Sequence, residues 1–206
     1  MTINRLAAVG ITVLALLTPG AGFASTMPQT ADTWSFTGLS GAERSALQTD
    51  LGEVVPAARP VVDRLAGLVA VDPATGRCQP PAASCSFAHE GAGGRWGIHL
   101  DRQTLSATYP SNRFLVYHEI GHAEWGLMLD DSARQAFVDA VKRALRGRPC
   151  VNGLGQPCAP IGEMFADEFA RWAGGFASSM SDYWTPPLFD PQTFAALVGV
   201  RSEGGA

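Results

Sequence analysis

The chain has 206 residues, is 46% hydrophobic and 17% charged, and carries a formal charge of −4. That is enough apolar material for one substantial core and calls for no more than one domain beside any targeting segment. Mild acidity without a basic, aromatic-interleaved stripe argues against nucleic acid or anionic lipid as the main partner.

The first residues have the layout of a signal peptide. Arg5 precedes an apolar run from Leu6 to Leu17, Thr18-Pro19-Gly20 ends it, and small residues at Gly22 and Ala24 suit cleavage after Ala24. The run is shorter than the roughly 20 residues that span a bilayer, so a membrane anchor is the weaker alternative. Residues 1–24 are therefore expected to be removed, taking the formal charge to −5 as Arg5 leaves. Residues 25–206 would then form a single secreted or extracytoplasmic domain with no membrane contact, expected to be a monomer.

Residues 25–37 show no clear period and read as a loose leader or a strand laid on the domain. Ser40 and Glu43 form a capping box, so a helix should start there. Pro56 and Pro60 interrupt its continuation, and Val61, Val62, Leu65 and Leu68 recur at helical spacing, which predicts two short helices or one kinked one. Asp72 to Gly94 is rich in Pro, Gly, Ala and Ser and reads as loop and turns. Trp96 to Leu100 alternates as a half-buried strand, with Ile98 and Leu100 on one side and His99 on the other.

Pro110-Ser111 opens a further helix, and Phe114 to Leu129 is apolar on nearly every face, the mark of a helix at a domain centre. Asp130 and Asp131 can cap an amphipathic helix carrying Phe137, Val138, Val141 and Leu145. Pro160 leads into a helix from about Ile161 to Ala173, and Thr193 to Val198 is the last helical candidate.

Four cysteines allow three pairings. The even count in an exported chain favours disulfides, and the short local loops Cys78–Cys85 and Cys150–Cys158 are the expectation. A cysteine zinc site is the rival, without the C-x2-C spacing that would mark it.

The chemistry concentrates in His118-Glu119-Ile120-Gly121-His122. On a helix, imidazoles four residues apart stack on one face and can share a metal ion. Glu119 points about 100 degrees around from His118, which suits a base that deprotonates metal-activated water. A catalytic zinc needs a third protein ligand and an open position. No histidine follows His122 and Met128 occupies the spacing of a nearby aspartate ligand, so a carboxylate must come from elsewhere. Glu163 and Asp167 share one face of the helix near 161–173, whereas Phe165, Phe169 and Trp172 make another. Glu163 can reach the metal, with Asp167 behind it to accept the remaining N–H of a ligand histidine. Glu124 and Glu168 fall off these faces and are poor ligands.

From Ser111 to Ala173 the chain resembles the gluzincins, in which an H-E-x-x-H helix is completed by a glutamate from a later E-x-x-x-D helix. The Glu163-Met-Phe-Ala-Asp167-Glu-Phe-Ala170 form is similar to that of small single-domain minigluzincins. The resemblance implies an α+β, zincin-like fold: a small mixed sheet, with the buried His118 helix facing the Glu163 helix. It implies one catalytic Zn2+ and hydrolysis of peptide or protein substrates, with Trp96–Leu100 as the substrate-facing edge strand. Two features depart from the pattern. Forty residues separate His122 from Glu163, read as an inserted helix plus a disulfide loop, and no downstream histidine is present to steady a transition state. Tyr183, Tyr117, His89 and His99 remain as candidate donors, with Tyr183 carried forward. The alternative reading is a noncatalytic exported protein in which zinc staples two helices and the groove binds a partner; Glu119, which no structural site requires, counts against it.

Overall fold

A computed structural model of the chain describes residues 34–76, 78, 84–88, 92–106, 110–152, 155–176 and 187–199. Residues 1–24, expected to be a signal peptide, and His89 and Tyr183 lie outside the described residues.

The fold is α+β, with a small mixed sheet and helices packed on it. Strand β1 (Ser35–Phe36) runs parallel to β2 (Val69–Pro73), which runs parallel to β4 (Trp96–Leu100), and β3 (Cys85–Phe87) lies antiparallel on the far side of β4. Between β1 and β2 come α1 (Gly41–Gly52) and α2 (Arg59–Leu65). The capping box forms as expected: Ser40 Oγ accepts from the Glu43 amide and Glu43 Oε2 accepts from the Ser40 amide at 2.8 Å. The prolines resolve the kink question as two separate helices.

The sheet corrects three expectations. β3 forms inside the stretch read as loop, because a three-residue strand shows no alternation and draws its order from β4 and from the Cys78–Cys85 disulfide. β4 is not half-buried: Gly97 to Leu100 are all buried, His99 included, and strands flank β4 on both edges. It is therefore no edge strand. Among the described residues the sheet's edges are β1 and β3.

After α3 (Arg102–Ser106), α4 (Pro110–Ala123) carries the H-E-x-x-H segment through the centre of the molecule. It does not stay α-helical to Leu129. A π-helical turn occupies Glu124–Met128, where Gly126 lies so close under the Trp96 indole that a Cβ would overlap the ring. Next come α5 (Asp131–Leu145), capped by Asp130 through the Ala133 amide, α6 (Ile161–Gly174) and α7 (Pro191–Gly199). α7 starts two residues before the expected Thr193, because Asp190 accepts from the Gln192 and Thr193 amides.

The two central helices, α4 and α6, pack closely. A Cβ on Gly121 would stand 2.8 Å from Ala166 Cα and 3.0 Å from Phe169 Cβ, closer than packed carbons approach. The absent side chain lets the two backbones come near enough for short polar side chains to meet across the gap. On the other face of α6, Phe165 packs edge-on to Phe137 at 5.1 Å between ring centroids and against Phe194 at 5.5 Å. Both expected disulfides are present, Cys78–Cys85 and Cys150–Cys158.

Candidate metal centre

Helical spacing on α4 brings His118 and His122 one turn apart, with ring centroids 4.8 Å apart and Nε2 atoms 3.2 Å apart. α6 crosses opposite and contributes Glu163 from its first turn. Glu163 Oε2 lies 3.1 Å from His118 Nε2, and Oε1 lies 3.4 Å from His122 Nε2. Four donors at about 2.0–2.1 Å around a tetrahedral ion stand about 3.3–3.4 Å from one another. The observed separations are of that order, though they run to both Glu163 oxygens, and His118, His122 and Glu163 form a group that could hold a metal ion. His118 is the most enclosed of the three; the His122 and Glu163 side chains retain partial exposure, which leaves an approach from solvent.

Asp167, one turn beyond Glu163 and fully buried, accepts from His118 Nδ1 at 2.9 Å. That bond places the proton on Nδ1, turns the ring and leaves Nε2 as the free donor atom. The structure sets the Asp167 and Glu163 carboxylates at opposite ring nitrogens of His118.

The site is electrostatically built for a cation. Burial alone would push the His118 pKa down, yet hydrogen bonds donated to Asp167 and Glu163 override it and raise the value to about 10. Burial opposes ionisation of Glu163, but the His118 and His122 hydrogen bonds hold its carboxyl well below the usual range. Where a proton gains this much from its surroundings, a divalent ion meets the same negative field.

Glu119 lies beside the ligands on the same helix and is buried, with its Oε2 making no hydrogen bond among the described residues. Burial raises its pKa; His118 and His122 pull it down, Glu163 pushes it up, and His99 pulls it down from the sheet. A carboxyl with a raised pKa and an unengaged oxygen beside a metal-ligand set can accept a proton there.

The other candidates separate cleanly. Tyr117 is fully buried and donates to the Asp50 carbonyl at 2.5 Å, and burial raises its pKa, so it is a packing residue. Glu124 and Glu168 face away from the ligands as their positions implied, but neither is solvated. Glu124 is bound to Arg64 at 3.1 Å, and Glu168 pairs with Arg171 and accepts from the Leu188 amide at 2.7 Å. Sequence reasoning missed the pairing of His99 with Asp72, whose Nδ1 and Oδ1 lie 2.5 Å apart. No local pattern marks it, because the pair exists only through the register that sets Asp72 opposite His99.

Comparison with protein-family models, curated proteins and solved structures finds no match. The chemistry of the site has to be read from its own residues.

Proposed function

We propose that the protein is an exported zinc-dependent metallopeptidase in which His118, His122 and Glu163 hold the ion and Glu119 is the general base. The observation that carries this reading is the convergence of the two imidazoles and the Glu163 carboxylate into one group that could hold a metal ion, with the buried Glu119 and its unbonded Oε2 beside them. Two imidazoles and one carboxylate are a donor set suited to zinc with a position left open.

A zinc ion bound there would supply Lewis acidity, polarising the scissile carbonyl and acidifying water at the site. Glu119 would take the proton from the attacking water and return it to the departing amine. Asp167 would hold His118 in the ligating tautomer throughout. β3 exposes its outer edge among the described residues, so an extended peptide could pair with its backbone and lie along the site. Two disulfides in a chain whose described helices are none long and apolar enough to cross a membrane fit the exported reading.

The test is to purify the chain from Ser25, measure bound zinc, and compare cleavage of an unstructured protein by wild type and Glu119→Gln. Both should bind about one equivalent, and only wild type should cleave, with activity lost to a chelator. Equal cleavage by both would remove Glu119 from the mechanism; no zinc in either would overturn the reading as a whole.

A further inference from the structure

The face of α6 that carries Phe165 meets Phe137 of α5 and Phe194 of α7, so α5 and α7 stand behind an aromatic layer rather than beside the metal-ligand group. α7 packs on α5, and between them lies a groove of about 570 Å3 that opens to solvent. Ligand pockets occupy roughly 300–1,000 Å3, so the volume is sufficient for a bound segment. Its lining is mostly apolar. Ala140 and Ala144, one turn apart on α5, leave depth, Leu197 and Phe189 supply apolar walls, and Arg143 and Arg146 bring in charge.

That charge is concentrated against the sign of the whole chain. Lys142, Arg143, Arg146 and Arg148 are all exposed, in a chain whose formal charge is −4. Lys142 lies 3.7 Å from Asp139, but among the described residues no ion pair engages Arg143 or Arg146. A helix C-terminus favours cations, which accounts for the sign of these residues. It does not account for the backbone of Arg146. This residue caps α5 in the left-handed conformation, with φ 51°, and is the only non-glycine with positive φ among the described residues. Glycine is the ordinary choice at such a cap, and an L side chain is strained there. The strained position is the one that adds a second guanidinium to the groove.

We propose that the groove between α5 and α7 is a binding site, separate from the metal centre, for an acidic peptide segment in which an apolar side chain is flanked by carboxylates. The apolar side chain lies on Ala140, Ala144 and Leu197. The carboxylates pair with Arg143 and Arg146, whose guanidinium forks can each donate two hydrogen bonds to one carboxylate. The groove is open rather than enclosed, which suits a chain passing through it. Nothing in this site requires the metal.

The test is fluorescence anisotropy of a dye-labelled peptide alternating leucine and glutamate, titrated with the chain from Ser25. Binding should saturate at one equivalent and weaken as salt is raised. Arg143→Ala and Arg146→Gly should each weaken it by at least about ten-fold, as loss of a charged hydrogen-bond pair implies, with metal content unchanged. Arg146→Gly separates recognition from folding, because glycine relieves the left-handed strain and should leave the unfolding midpoint equal or higher. Peptides with glutamine for glutamate, or serine for leucine, should each bind more weakly than the parent. Full affinity in folded Arg146→Gly would overturn the proposal. So would a serine peptide that binds like the parent, which would leave only a patch of charge. Binding of phosphatidylserine vesicles but not of the peptide would assign the arginines to a membrane surface and overturn it as well.

Discussion

Two sets of carboxylates share the same pair of central helices and have opposite electrostatics. Glu163 and Asp167 face the histidines of α4, and Glu163 is held far below its ordinary pKa. One residue further round α6, Glu168 faces Arg171, and at the end of α4 Glu124 faces Arg64; burial raises both, Glu124 to about 7. The fully buried pair of carboxylates is the one with raised pKa values, but the number of partners matters as much as depth. Glu163 has two imidazoles converging on both oxygens, whereas Glu124 has one guanidinium on one oxygen and an Oε2 with no hydrogen bond among the described residues. Negative charge is stabilised on the face of the two histidines and merely tolerated behind it.

That contrast breaks most directly at Glu163. Glu163→Gln should abolish stoichiometric zinc binding, a loss greater than the roughly 100-fold expected of an outer partner, while the fold survives; retained stoichiometric zinc would remove Glu163 from the ligand set. Glu168→Ala should do the reverse. It strips the carboxylate from a buried ion pair and should cost about 3 kcal/mol in denaturant unfolding with zinc content intact.

Glu124 sharpens the comparison through pH. Its folded pKa is raised, so the folded chain holds this proton more tightly than the unfolded chain, and stability falls as pH rises from about 4.5 to about 7. The stability of Glu124→Gln relative to wild type should therefore grow across that window, by up to about 3 kcal/mol, in unfolding curves taken at successive pH values. A flat difference would show that Glu124 is ionised as readily in the folded chain as in the unfolded one. The smallest effect is expected from Asp167→Asn, which should weaken zinc binding by about 10–100-fold in competition with a chelator and leave the ligand set intact.

What could be read from the sequence is what lies within one helical turn. His118 with His122, and Glu163 with Asp167, are each four residues apart on a single helix, so periodicity alone puts each pair on a common face. Bringing the two faces together depends on Gly121 against Ala166, a contact between positions 45 apart that no local pattern reveals. The Asp72–His99 pair fails to show for the same reason: it exists only through the register of β2 on β4. β3 is too short to carry a period, and the π turn after Ala123 changes backbone hydrogen bonding without changing residue type.

Glu163 sits in the first turn of α6, where backbone amides not used within the helix favour a negative charge. Its surroundings are a continuous apolar core that includes Ile120, Phe165 and Phe169 and owes nothing to the ligands. In small zinc domains, by contrast, the ion supplies the folding free energy and chelation unfolds the chain. The core here would fold without that contribution, so on the metallopeptidase reading loading would be an exchange of ligands rather than an act of folding. A stripped chain should remain native and regain its metal on mixing, at the speed of ligand substitution.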